Sequence, residues 1–285
     1  MHTIGIISKP EQEKVRTIVP ALLDWLKQRR IEAVCDSETI ACVGPLCAQA
    51  SREEIAARAD MVLVLGGDGT LLAVARVAGE REVPILPVNL GSLGFLTSVK
   101  LDELYAVLEE VLAGQHRISD RIQLDTEVVR GGSVWQRHRA LNDAVLSKAT
   151  LARIIDMELS IDGRYVCSYR ADGLIIATPT GSTAYSLSAG GPIVYPLLDS
   201  FVITPICPHS LTNRPLVIPD SMELELGFQA GDNAAYLTVD GQVGVELQAG
   251  DHVKIRKAAT RLKLVRPLRK TYFEILRSKL KWGER

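Results

Sequence analysis

A carboxylate set among glycines is the residue pattern with the clearest chemical meaning in this chain. Gly66-Gly67-Asp68-Gly69-Thr70 follows the apolar run Met61–Leu65 and precedes Leu71–Ala78, whose spacing is helical. A buried strand that ends in a Gly-rich turn opening a helix offers free backbone N–H groups to phosphate. An acid inside such a turn repels an anion unless a cation or a proton transfer makes use of it. The pattern therefore points to phosphoryl transfer onto a hydroxyl, with Asp68 as the base and the turn Gly66, Gly67, Gly69 and Thr70 around the phosphates. Taken alone, Asp68 could instead cap the helix that follows. Three glycines around it favour a close approach to the backbone, which a cap does not need. Neither Gly-x-Gly-x-x-Gly with a later ribose-binding acid nor Gly-Lys-Ser/Thr occurs here, so a dinucleotide fingerprint and a Walker loop both fail.

Other candidates lie downstream. Asn89-Leu-Gly-Ser-Leu-Gly-Phe95 is a second Gly-rich turn after a strand, and two strand-end turns of one parallel sheet line the same crevice. A tight structural connection is its alternative reading. Asn142-Asp143 pairs an amide with a carboxylate, which can grip two hydroxyls of a ribose, although Asn-Asp is also an ordinary turn pair. The buried-looking strand Leu174–Ala177 runs into Thr178–Ser188, crowded with small hydroxyl residues around Gly181 and Tyr185. Such a loop supplies hydrogen bonds without bulk to a nucleotide lying against it, and Tyr185 could stack on a base or bond a phosphate. Arg153 and Arg170 are basic candidates for phosphate pairing, or ordinary surface charges. Gln242, after the turn pair Asp240-Gly241, could read an amide or a ribose edge, or simply follow the turn. No histidine shows metal-ligand spacing, and Ser182 lacks a hydrolase elbow.

The elements that must position these groups fall into two regions. Ile4–Ile7, Met61–Leu65 and Pro84–Val88 read as strands; Val15–Arg29, Arg52–Arg58 and Leu101–Ala113 read as helices. This alternation predicts a parallel sheet covered by helices over residues 1–115. From 116 to 266 the period changes to two, as in Leu124–Val129, Met157–Ile161, Met222–Phe228, Tyr236–Val239 and His252–Ile255, which predicts a β-rich domain. Residues 267–285 carry a terminal helix expected to pack back on the first domain. At 285 residues both regions can bury a core, and 47% hydrophobic with 24% charged residues is ordinary for a globular chain. A net charge of -1 offers no global field for nucleic acid or an anionic membrane. Anionic substrates must then be held by local Arg, Lys, N–H groups or metal. Five cysteines without a Cys-x-x-Cys pair predict reduced thiols rather than a zinc site. With no secretory leader and no membrane-length apolar run, the expectation is a cytoplasmic protein.

In order, Gly66–Thr70, Asn89–Leu96, Leu141-Asn-Asp143, Asp172–Ser188 and Val239-Asp-Gly-Gln242 resemble the bacterial NAD kinase family, over most of the chain. The first turn by itself marks a wider superfamily that includes diacylglycerol and sphingosine kinases; the run Asp172–Ser188 is the specific part. The resemblance implies a Rossmann-like N-terminal α/β domain, a β-rich C-terminal domain and a homodimer or homotetramer. It also implies transfer of the γ-phosphoryl group of ATP to the 2′-hydroxyl of the adenosine ribose of NAD, with a divalent cation, Mg2+ or Mn2+. By that likeness Asp68 is the general base, Gly69 holds substrate or phosphate, and Asn142 and Asp143 bind ribose hydroxyls. Arg170 and Asp172 flank the nicotinamide side, Thr183, Ala184, Tyr185, Ser186, Leu187 and Ser188 surround the adenine end, and Gln242 closes the pocket. Arg153 falls where relatives vary. Many relatives have Asn-Glu where this chain has Asn142-Asp143, so the carboxylate here sits one methylene closer to the backbone. Two rival readings are a lipid kinase built on the same turn and a non-catalytic NADP sensor. Against the first stands the lack of a basic amphipathic segment other than Lys270–Lys281; against the second, the intact Asp68.

Overall fold

The computed structural model describes residues 1–9, 12–78, 81–148, 154–229 and 235–282. The chain forms two compact units: Met1–Asp120 with Leu262–Arg285, and Arg121–Arg261.

The first unit is built on an eight-stranded sheet. Its strands run in the spatial order Ala48–Gln49, Glu32–Cys35, Thr3–Ser8, Met61–Leu65, Ile85–Asn89, Leu262–Pro267, His116–Arg121, with Val99–Lys100 also paired to Ile85–Asn89. The pairs from Ala48–Gln49 across to Leu262–Pro267 are parallel. Met61–Leu65 is buried along its whole length, as a strand covered on both faces must be. One face packs Ile4, Ile6, Met61, Leu63 and Leu65 against the helices Glu13–Gln28 and Leu104–Leu112. On the other face the helix Arg52–Arg58 lies so close that a β-carbon at Gly5 would meet the Ile55 side chain at 2.2 Å. The helix Arg52–Arg58 starts in a capping box, Ser51 with Glu54, and the terminal helix Tyr272–Leu280 starts in another, Thr271 with Glu274.

Two expectations are corrected in this unit. The strand Leu262–Pro267 does not continue the β-rich region but inserts between Ile85–Asn89 and His116–Arg121. Its buried Leu262, Leu264 and Val265 complete the parallel sheet, and the terminal helix belongs to the same unit. The cysteines are not all thiols: Cys35 and Cys47 form a disulfide, their Cα atoms 6.5 Å apart, while Cys42, Cys167 and Cys207 are free. The parallel pairing of Glu32–Cys35 with Ala48–Gln49 brings the two sulfurs together, a proximity that spacing in the chain does not reveal.

The second unit is a sandwich of two six-stranded antiparallel sheets. One has the order Leu216–Pro219, Ser200–Ile206, Gly173–Ala177, Asp143–Lys148, Ala235–Val239, Val243–Leu247. The other has the order Arg164–Ala171, Ile155–Ile161, Leu224–Gln229, His252–Lys257, Leu124–Arg130, Ser133–Ala140. Alternate residues of both sheets fill one shared core, including Leu146, Leu174, Ile176, Leu226 and Ile255. Gly173–Ala177 is apolar throughout because its other face, Ile175 and Ala177, packs on Val145, Val194 and Val202. The expected α/β region followed by a β-rich region is the architecture found. Among the described residues no helix is long and apolar enough to cross a membrane.

Candidate active site

In the first unit the chain winds outward from Thr3–Ser8 through Glu32–Cys35 to Ala48–Gln49, then returns to place Met61–Leu65 on the opposite side of Thr3–Ser8. That reversal makes a crevice at the carboxyl ends of the two central strands, the usual ligand position in open α/β sheets. Lys9 follows one of these strands and Gly66-Gly67-Asp68 follows the other. With Gln12, Asn89–Gly94 and Lys279 they line a cavity of about 350 Å³.

Asp68 is itself the first residue of the helix Asp68–Ala78. Its carboxylate reaches the second Gly-rich turn. Oδ2 accepts from Phe95 N at 2.9 Å. Oδ1 accepts from Leu96 N at 3.3 Å, Thr97 N at 3.0 Å and the Thr97 hydroxyl at 2.8 Å. The buried Asn89 amide donates to that same hydroxyl at 2.7 Å, which leaves the Thr97 proton only the direction of Asp68. Gly94 is required by this approach, because a β-carbon there would lie 2.0 Å from Asp68 Oδ1. Thr97 and Gly94 were not singled out as functional from sequence; the repeated glycines of the second turn were the available signal.

The first turn divides its glycines between two tasks. Gly66 makes room for the Thr70 side chain, whose Oγ1 would meet a β-carbon at 2.4 Å, whereas Gly67 faces open space. Gly69 is exposed on the first turn of the helix. A carboxylate has about four acceptor positions. Three donors reach Oδ1 and one reaches Oδ2, so Oδ2 retains capacity for a proton or a cation. Among the described residues no group of three or more His, Cys, Asp and Glu forms a metal cage, and Asp68 is the one carboxylate lining the cavity. This donor set leaves a divalent ion to be held chiefly by substrate phosphates and water, as Mg2+ commonly is.

In the second unit Asn142 and Asp143 precede and open the strand Asp143–Lys148. Their turn is fixed by Asp240, which sequence reasoning treated only as part of an Asp-Gly turn. Asp240 and Gly241 both adopt positive φ between the strands Ala235–Val239 and Val243–Leu247, as a tight hairpin requires. The Asp240 carboxylate accepts from the backbone N–H groups of Leu141, Asn142 and Asp143 at 3.0, 2.7 and 3.2 Å. Asp143 is 4% exposed. Burial first, and the neighbouring Asp240 charge second, push its carboxyl up to about 7.

Most hydroxyls of Thr178–Ser188 are committed inside the protein rather than offered to a ligand. Thr178 donates to Leu141 O at 2.6 Å and Ser182 to Pro179 O at 2.7 Å, while Ser186 and Thr204 share a bond at 2.9 Å. Ser186 is fully buried, so its side chain is part of the scaffold. Thr183, Ala184 and Leu187 are half-buried, and Tyr185 and Ser188 are exposed beside them. Gly181 lets the loop sit against Asn142, whose carbonyl oxygen would be 2.1 Å from a β-carbon there. Asn142, Asp143 and this loop are thus one construction. Asp172 forms an ion pair with Lys148 at 2.6 Å, Arg170 is exposed on the strand Arg164–Ala171, and Gln242 is exposed in the hairpin turn. Arg153 lies outside the described residues.

A parallel α/β sheet with an acid-bearing Gly-rich turn at its switch point, in one chain with a β sandwich, is the architecture that the following comparisons assign to a class of kinases. Residues 4–116 match the ATP-NAD kinase N-terminal domain and residues 141–267 the ATP-NAD kinase C-terminal domain. The chain belongs to the ATP-NAD kinase family and is an enzyme of the NAD kinase class. It is 50% identical to the NAD kinase of Solibacter usitatus over 285 residues, covering 100% of this chain and 99% of the relative. It is 51% identical to that of Geobacter metallireducens over 285 residues, covering both chains in full (100%). Among solved structures, yeast NADH kinase complexed with NADH matches with a TM-score of 0.90 at 28% identity, covering 100% of this chain and 89% of that one. An NAD kinase from Archaeoglobus fulgidus in complex with ATP matches with a TM-score of 0.78 at 25% identity and 98% coverage of each chain.

Proposed function

We propose that the enzyme transfers the γ-phosphoryl group of ATP to the 2′-hydroxyl of the adenosine ribose of NAD, giving NADP and ADP. Asp68 Oδ2 takes the proton of the ribose hydroxyl as the 2′-oxygen bonds to the γ-phosphorus and the bond to the β-phosphate oxygen breaks. The observation that carries this reading is the Asp68 carboxylate, fastened by Phe95, Leu96 and Thr97 at the edge of the cavity at the carboxyl ends of the strands. Positioning and charge stabilisation dominate phosphoryl transfer, and a well-placed base contributes about 10²–10⁴-fold. A hydrogen-bonded carboxylate is such a base, because its direction is set before substrate arrives.

In the second unit Asn142 and Asp143 hold ribose hydroxyls, and Thr183, Ala184, Tyr185, Leu187 and Ser188 hold the adenine end. Arg170, Asp172 and Gln242 complete the dinucleotide grip. A divalent cation, Mg2+ or Mn2+, would supply neutralisation of the donor phosphates when bound to them, leaving Asp68 Oδ2 for the ribose proton. The working form is a cytoplasmic homodimer or homotetramer. The test is a matrix of donors, ATP and inorganic polyphosphate, against acceptors, NAD, NADH and diacylglycerol vesicles, with Mg2+ or Mn2+, read by NADP formation or lipid phosphorylation. NADP formation from NAD and ATP is the expected result. Phosphorylation of diacylglycerol without NADP would replace this reading with that of a lipid kinase.

A further inference from the structure

The donor phosphates need positive partners, and the backbone of the cavity provides fewer than its glycines suggest. In the second turn Gly91 N donates to Asn89 Oδ1 at 2.6 Å and Gly94 N to Thr97 O at 3.2 Å. The N–H groups of Phe95, Leu96 and Thr97 are all spent on Asp68. The last three amides of the second turn are therefore holding an anion of the protein itself. Among the described residues, the positively charged side chains lining the cavity are Lys9 and Lys279. Neither forms an ion pair with a described residue, unlike Lys270, which is tied to Glu103 and to Ser98 O. Lys279 sits in the last turn of the helix Tyr272–Leu280, with its ammonium 5.8 Å from the centre of the Phe95 ring. That is within the range of a cation–π contact, so its head is held above the residue whose N–H fastens Asp68 Oδ2.

We propose that Lys279 binds the polyphosphate chain of the phosphoryl donor, so that the C-terminal helix supplies part of the donor site. The inference rests on the cavity being the donor site, but not on the identity of the acceptor. A lysine acting as a point charge on a triphosphate serves ATP and inorganic polyphosphate alike.

The experiment is calorimetric titration of inorganic tripolyphosphate, ATP and AMP into the full chain without metal. The wild type is compared with K279A, K279R, K279Q and K281A, each checked by thermal melting. Loss of one charge-assisted contact weakens tripolyphosphate and ATP by about tenfold to a hundredfold in K279A. K279R restores most of the affinity, AMP is barely affected, and K281A, exposed and outside the cavity lining, matches the wild type. K279Q keeps most of the stem over Phe95 without the charge and decides the matter if K279A melts early. Tripolyphosphate binding within about twofold of wild type in both K279A and K279Q overturns the proposal, as does a wild type that binds no tripolyphosphate. A loss confined to ATP overturns it too, because the contact would then lie on the nucleoside. If the wild type makes no NADP yet its tripolyphosphate binding depends on Lys279, the acceptor assignment fails and this inference stands.

Discussion

The two carboxylates that matter most are held in different ways by their surroundings. Asp68 is met by three backbone N–H groups and one hydroxyl, which fix the direction of its carboxylate. Asp68→Asn trades an acceptor oxygen for an NH2 facing those donors. Turnover falls by about 10²–10⁴-fold while NAD binding persists; unchanged turnover would remove Asp68 from the mechanism. The lost acceptor also costs roughly 1–3 kcal/mol of stability, visible as a lower melting temperature. Asp143 is buried beside Asp240, and its carboxyl is pushed up to about 7 from an ordinary 3.8. The folded state therefore holds this proton more tightly than the unfolded chain. The contribution is absent as a penalty below pH 3.8, grows as the pH rises toward about 7, and is constant above that. Asp143→Asn has no proton to lose, so its stability gains on the wild type across that window, by up to about 4 kcal/mol. Denaturant titrations at pH 4, 5.5 and 8 check this, and parallel pH curves for the two proteins would refute it.

At the scale of elements, the proposed catalysis depends on two strand-end turns that lock to each other rather than on either one. The first turn carries the acid and the second carries the donors that hold it. Gly94→Ala tests the lock, since its β-carbon would occupy the space 2.0 Å from Asp68 Oδ1. Either the carboxylate or the turn must move, at a cost on the order of 1–3 kcal/mol. Turnover should then drop by about tenfold or more, because small misplacements of a reacting group are expensive. NAD binding should be spared, since the residues proposed to grip it belong to the other unit. A Gly94→Ala enzyme with wild-type kcat would show that the Asp68–Phe95 fastening is dispensable. The Asp240 hairpin plays a comparable part in the sandwich, where one carboxylate satisfies three consecutive N–H groups and fixes the Asn142-Asp143 turn.

For the whole molecule, the discontinuity of the first unit has a consequence. The strand Leu262–Pro267 lies inside that sheet, between Ile85–Asn89 and His116–Arg121. Without it both neighbours would expose unpaired edges and the buried faces of Leu264 and Val265 would have no occupant. A fragment of residues 1–120 should therefore show no cooperative thermal transition, whereas residues 121–261, with a closed core of their own, should unfold cooperatively. Circular dichroism melts of the two fragments decide it; a cooperative melt of 1–120 would mean the inserted strand is not structurally required. The same return of the chain brings the terminal helix, with Lys279, into the first unit.

Local regularity explains what could be read without coordinates. Period-two and period-3.6 spacing depend on neighbours in the chain, so an α/β region followed by a β-rich one and strands such as Met61–Leu65 were legible, as was the acid-bearing turn that begins the helix at Asp68. The Asn142-Asp143 pair and the loop after Ala177 were legible as motifs through their composition. Burial on both faces hides the period of a strand like Leu262–Pro267, and its place in the sheet follows from pairing with residues far away in sequence. Folding alone decided which hydroxyls of Thr178–Ser188 are used internally, that Asp68 is fastened while Asp143 is pushed toward neutrality, that Cys35 meets Cys47, and that Lys279 lines the cavity beside Asp68. Each of these depends on distances of a few ångströms between segments separated along the chain, and only the packed fold sets such distances.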